Sequence, residues 1–226
     1  MRFVWLMAAF AVQGPRIHAQ DAVPVYREPR HRLVLDSVRF RIMDVLIKPG
    51  DTTLFHIHDT PIMYVDLSRS PVAIQVLGGD WITATPATAP PRVRIDSTYA
   101  VNSLTHRVTN TGTTQFRLLA IISSTRMSTA PIVAQTELPG TVEIRSTWFW
   151  QSRFQISPQS GTEWRTSGVP VLIVQPLEGQ LDVEVEGKGH QQLERPGTWS
   201  LVPAHMRYRI ANRGTAAADA VAIQIR

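Results

Sequence analysis

From Leu33 onward apolar and polar residues alternate in short runs, as in Val38-Arg39-Phe40-Arg41-Ile42 and Leu181-Asp182-Val183-Glu184-Val185. A period of two sends every second side chain to the same face, so these runs predict half-buried strands. They are separated by turn signals: Pro49-Gly50-Asp51, Gly78-Gly79-Asp80, Glu186-Gly187-Lys188-Gly189 and Arg195-Pro196-Gly197. No segment after residue 20 carries the pattern of a long amphipathic helix. Many short strands punctuated by Gly and Pro predict an all-β protein, either a sandwich or a closed barrel.

The first twenty residues break this pattern. Met1-Arg2 precedes the apolar run Phe3 to Val12, a turn-prone Gln13-Gly14-Pro15, and Ile17-His18-Ala19-Gln20. That is the layout of a signal peptide. The expected location is therefore secreted or periplasmic. The apolar run is too short to span a bilayer, and no later stretch reaches the roughly 18 to 20 apolar residues of a membrane helix. Without residues 1–20 the chain keeps 21 basic and 18 acidic groups, and its Lys and Arg form no run or basic helix. This distribution argues against a nucleic-acid footprint. Cysteine is absent, so any metal ligands must be nitrogen or oxygen.

A chain of 226 residues is long enough for two small domains, and an internal repeat supports that division. Pro49 to His56 (Pro-Gly-Asp-Thr-Thr-Leu-Phe-His) aligns without gaps on Pro158 to Arg165 (Pro-Gln-Ser-Gly-Thr-Glu-Trp-Arg). Further on, His106-Arg-Val-Thr-Asn110-Thr-Gly112 aligns on Tyr208-Arg-Ile-Ala-Asn212-Arg-Gly214. The organisation read from this is a signal peptide (1–20), a first barrel (21–125), a linker (126–140) containing Pro131 and Pro139, and a second barrel (141–226). A Pro-rich loop from Ala84 to Pro91 interrupts the first half. Asn110 and Gly112 are read as turn residues that close the barrel, in either half.

Gly50, five residues, then His56-Ile57-His58, and later His106-x3-Asn110 resemble the two sequence motifs of the cupin superfamily, over most of residues 33 to 122. The resemblance implies two tandem small antiparallel jelly-roll β-barrels. It also implies that His56, His58 and His106 bind a divalent metal ion: Fe, Mn, Zn, Cu or Ni. The spacing has its own physical reason, since residues i and i+2 of a strand face the same way and His56 and His58 enter the barrel together. Three imidazoles hold a first-row metal and leave positions open for water or substrate. The Glu that the family carries four or five residues after the second His is replaced by Ile62 or Met63. Neither nearby acid is a convincing substitute. Asp59 points away from the histidines on a continuing strand, and Asp66 lies roughly 13 Å beyond Ile62 on an extended chain.

In the second half, Arg165, Ser167 and Tyr208 stand where the first has its histidines, and Val171 stands at the Glu position. Arginine stays protonated and does not ligate metal. His205 is read as an exposed loop residue and Trp148-Phe149-Trp150 as core packing. This half is expected to be structural, with a sharper alternative in which Arg165, Tyr208 and Trp164 line a pocket for an anionic or aromatic ligand. In the first half, Tyr64 and Asp66 are the candidate substrate-binding residues.

Three classes of function follow. One is a metal-dependent oxygenase acting on a small organic molecule, and the second is a non-catalytic small-molecule-binding protein with a structural second barrel. The third is an interaction module that pairs as a homodimer.

Overall fold

The structure is a computed structural model and describes residues 21–84, 91–126 and 138–226. The expected signal peptide, most of the Pro-rich loop and most of the linker lie outside the described residues. The first ten strands are β1 Val23–Pro24, β2 His31–Asp36, β3 Phe40–Ile47, β4 His56–His58, β5 Ile62–Asp66, β6 Val72–Val76, β7 Trp81–Ala84, β8 Arg92–Asp96, β9 Leu104–Asn110 and β10 Phe116–Ser123. They form two sheets, ordered β1-β4-β9-β6-β7 and β2-β3-β10-β5-β8. Nine more follow: β11 Thr141–Arg145, β12 Phe149–Ile156, β13 Arg165–Thr166, β14 Val171–Gln175, β15 Leu181–Val185, β16 Gly189–Leu193, β17 Thr198–Val202, β18 Arg207–Asn212 and β19 Ala218–Ile225. These also form two sheets, ordered β11-β12-β19-β14-β17 and β13-β18-β15-β16. The helical elements among the described residues are single 3-10 turns at Val25–Arg27 and Thr98–Ala100. None of these helices is long and apolar enough to cross a membrane.

The strand pairings repeat between the halves in the register that the sequence alignment requires. His56 pairs with His106, and the aligned Arg165 pairs with Tyr208. Thr53 donates its backbone N–H to Val108 O and accepts the Val108 N–H on Oγ1. Thr162 makes the same two bonds with Ile210. The turn before each segment uses the left-handed backbone region, with φ of 78° at Gly50 and 53° at Gln159. Glycine adopts that conformation freely, whereas Gln159 must be held in it. Its side chain is tied by Nε2 to the carbonyls of Arg213 and Gly214.

Asn110 and Asn212 lock the ends of their barrels. Asn110 Nδ2 donates to Ile47 O and Thr114 O, while its Oδ1 accepts from Ser70 Oγ and Gly112 N. Asn212 Nδ2 donates to Ile156 O, Ser157 O and Ala216 O, and its Oδ1 accepts from Gly214 N. Gly112 is required by close approach, because a Cβ there would lie 2.3 Å from Ser70 Oγ and 2.6 Å from Pro71 Cδ.

Several strands depart from the expected half-burial. Every residue of β5 and β14 is buried. The cause is packing between barrels: the outer faces of the β3-β10-β5 and β12-β19-β14 segments meet in one apolar cluster. It contains Phe40, Ile42, Met63, Val65, Leu119, Ile121, Phe149, Leu172, Val174, Val221 and Ile223. A sheet covered on both sides needs apolar residues on both faces, so its strands read as continuous apolar runs. Phe149 and Trp150 are both buried for this reason, the first between the barrels and the second inside barrel two. Arg117 adds a polar tie at the edge, donating to Asp44 and to Pro196 O.

Candidate metal centre

The two barrels differ most in what fills them. In the second, Trp150, Ile173, Leu181, Val183, Tyr208 and Ile210 belong to one buried core cluster. Tyr208 is 1% exposed, and burial raises its pKa to about 12. Arg165 sits beside it in the strand ladder, and neither lines the cavity of the first barrel. Trp164 lies under the guanidinium groups of Arg207 and Arg209, at 5.2 and 4.9 Å from its ring centroid. His205 is an exposed turn residue with φ of 65°.

The first barrel keeps a cavity of ≈ 360 Å³ between its sheets. Small-molecule pockets run from about 300 to 1,000 Å³, so a compact organic molecule fits. One wall carries His56 and His58 on β4 and His106 on the neighbouring β9, all buried. Alternation along β4 turns both of its histidines inward, and the cross-strand pairing sets His106 against His56. His106 Nε2 lies 3.0 Å from His56 Nε2 and 3.1 Å from His58 Nε2. Metal–nitrogen bonds of about 2.1 Å, meeting at right angles, place two donor atoms about 3.0 Å apart. Those two separations suit a first-row divalent ion, the three donor atoms lie within 4.8 Å of one another, and these residues form the group that could hold one among the described residues.

Protonation favours the same chemistry. Burial, aided by the neighbouring histidines, lowers the pKa of His56 and His106 to about 3 and that of His58 well below its usual value. All three rings are neutral near pH 7, as ligands must be. His56 Nδ1 lies 2.9 Å from Leu54 O. A proton donated along that bond leaves the Nε2 lone pair facing its neighbours. Leu54 is itself anchored, donating its N–H to the buried Glu28 carboxylate at 3.2 Å.

The surroundings of the triad include groups that the sequence motif does not mark. His31, at the start of β2, stands edge-on to His56 with ring centroids 4.7 Å apart. Its Nδ1 bonds to Val25 O at 2.9 Å, and burial takes its pKa to about 4. Tyr99, in the 3-10 turn after β8, lies against His58 with ring centroids 5.0 Å apart and planes tilted by 36°. Burial lifts its pKa to about 12. Ile62 occupies the expected Glu position and is fully buried in the cavity wall, while Met63 turns to the barrel–barrel core. The two candidate substrate residues, Tyr64 and Asp66, both line the cavity, facing Arg94 and Arg92 of β8. His31, Tyr99 and Arg94 reach the site from separate strands and turns with no fixed spacing to the histidines. An inward parity along β8 was the one available signal, and it gives no partner.

No family model matches the sequence, and no curated protein matches it. Solved structures do match. AerE from Microcystis aeruginosa is 13% identical with a TM-score of 0.58, over 88% of this chain and 98% of that one. The cupin 2 conserved barrel domain protein from Leptotrichia buccalis is 10% identical with a TM-score of 0.54, over 86% and 87%. Salicylate 1,2-dioxygenase from Pseudaminobacter salicylatoxidans is 11% identical with a TM-score of 0.58, over 83% and 71%. At such identities the likeness is one of fold, and it extends over both halves of the chain. The protein has the architecture of a cupin with two barrels.

Proposed function

We propose that this protein is an exported metal-dependent oxygenase that acts on a small organic molecule inside its first barrel, with the second barrel as structural support. The observation that carries the reading is the gathering of three neutral imidazoles, with His106 Nε2 at 3.0 and 3.1 Å from those of His56 and His58 and all three donors within 4.8 Å, on the wall of a cavity sized for a compact ligand. His56, His58 and His106 would hold the ion. A metal bound there supplies Lewis acidity and open positions at which a substrate or dioxygen can bind. The chain itself contributes the rest. Leu54 O fixes the His56 ring, His31 and Tyr99 wall the histidines off from water, and the aliphatic residues of β3, β6 and β10 exclude solvent from the bound molecule. A structurally similar salicylate 1,2-dioxygenase has been solved as adducts with gentisate, which makes small aromatic acids a reasonable first substrate panel. Export is read from residues 1–20 alone, and N-terminal sequencing of the protein recovered from the periplasm or medium tests it.

A second reading, non-catalytic binding of a small molecule, is favoured by the absence of a carboxylate at Ile62 and Met63. Metal analysis of the purified protein beside a His56→Ala/His58→Ala double variant separates the two. Stoichiometric metal in the wild type that is lost in the variant, with oxygen uptake on an aromatic substrate, supports the oxygenase. Equally little metal in both defeats it and leaves the binding protein.

A further inference from the structure

We propose that the ligand of the first barrel carries a hydrocarbon tail that leaves the cavity over Val76 and Ile82, with its compact part beside the histidines and its tail along the β6–β7 hairpin. The inference rests on the reading that this cavity is the ligand site, and it does not require that a metal be bound there.

The sheet that holds the histidines also holds the path. His56, His106 and Val76 stand side by side in one row of its ladder, and Val108, Ile74 and Ile82 in the next inward-facing row. Residues paired across a ladder share a face, as do residues two apart along a strand. His56, His106, Val108 and Ile74 line the cavity, and so does Ala84, two residues after Ile82. Val76 and Ile82 therefore continue the cavity wall on its inner face, at the place where that wall runs out of the barrel. Val76 is 41% exposed and Ile82 67%. The apolar strip ends at the Gly78-Gly79-Asp80 turn. Bare aliphatic surface of this kind is stabilised by hydrocarbon laid along it.

The second barrel shows that the fold does not demand such a surface. Its β15–β16 hairpin is built on the same ladder: Glu186 N donates to Arg207 O as Leu77 N donates to Thr105 O, and Val183 pairs with Gln191 as Ile74 pairs with Ile82. There Val185, the counterpart of Val76, is only 7% exposed. Gln191, the counterpart of Ile82, donates to Trp199 O on β17 and ties the hairpin to the opposite sheet. Leu193 takes the place of Ala84 and belongs to the buried core. The filled barrel closes this edge with a polar bond, whereas the hollow one leaves it apolar. Position chooses the occupant. Leu77 and Trp81 lie on the outer face, where Arg107 already covers the Trp81 ring at 5.0 Å. Val76 and Ile82 lie on the inner face, continuous with the cavity, which is where the ligand's own tail emerges.

The test is equilibrium dialysis of 4-butylphenol, 4-octylphenol and 4-dodecylphenol against the purified protein, metal-loaded and chelator-stripped. A fully buried methylene tightens binding about fourfold. A tail covered on one side should gain about half that free energy, or about twofold per methylene, so 4-dodecylphenol should bind about 16-fold more tightly than 4-octylphenol. Ile82→Gln, the exchange that the second barrel already tolerates, should cut this ratio to about fourfold or less, with thermal melts confirming that the variant folds. Leu77→Glu, the matching exchange on the outer face, should keep the wild-type ratio. Equal affinity for the octyl and dodecyl compounds, a ratio that Ile82→Gln leaves unchanged, or no binding of any of the three in either metal state overturns the proposal. So does a loss of the ratio in both variants alike, which would make the hairpin tip a nonspecific apolar contact. A tail-length dependence in chelator-stripped protein, with no stoichiometric metal in the untreated protein, upholds the proposal while the oxygenase reading fails. Oxygen uptake on 4-butylphenol, with no dependence of binding on tail length, does the reverse.

Discussion

Replacing Asn110 with alanine removes an amide that no other residue can stand in for. Its side chain makes four hydrogen bonds of 2.7 to 2.9 Å, to Ile47 O, Thr114 O, Ser70 Oγ and Gly112 N, and it is 1% exposed. At about 1 kcal/mol net for each buried bond, Asn110→Ala should cost about 4 kcal/mol. Asn212→Ala loses four contacts of which one is long, at 3.3 Å, and should cost about 3 kcal/mol by the same reckoning. The barrels share an apolar cluster, so the loss in either one should lower the midpoint of a single transition. Urea unfolding, followed by tryptophan fluorescence and by far-UV circular dichroism, measures both quantities. An Asn110→Ala midpoint within about 1 kcal/mol of wild type, at unchanged slope, would refute the reasoning that the amide closes the barrel.

Two other measurements probe the interior. The folded-state pKa values of His31, His56 and His106 lie near 4, 3 and 3, with His58 also lowered, against about 6.5 unfolded. The unfolded chain therefore binds more protons below pH 6.5. Stability should be fully present above that value and fall as the pH drops toward 3, by roughly 1 kcal/mol per pH unit for each histidine. Urea midpoints at pH 7, 6 and 5, above the range in which ordinary carboxylates titrate, read this directly, and a constant midpoint contradicts it. Leu172, fully buried where the barrels meet, should cost about 2 to 5 kcal/mol when cut to alanine. Both barrels should still unfold together, and a barrel-two transition split from that of barrel one would show that the shared cluster does not couple them.

The sequence made legible whatever depends on local spacing. His56 and His58 share a face because they are two apart, and the repeat puts Arg165 and Tyr208 at the positions that His56 and His106 hold in the first half. Hidden from it was everything set by which strand lies beside which. Arg94 matters because β8 pairs with β5, and His31 because the start of β2, in the opposite sheet, brings its ring against His56. Tyr99 matters because a single turn folds over His58. Nor does alternation announce a strand covered on both faces. Trp148-Phe149-Trp150 reads as core packing, but which core is not legible: Phe149 packs between the barrels and Trp150 inside barrel two.

That back-to-back contact has a consequence for dilution. A lone barrel with the outer face of Phe40, Ile42, Met63, Val65, Leu119 and Ile121 would need a second molecule to cover it, and mass action would strip that partner away as concentration fell. Here the cover belongs to the same chain, so its local concentration is set by the length of the connecting segment and not by the number of molecules in solution. The barrel without the histidines thus covers the other one at any dilution.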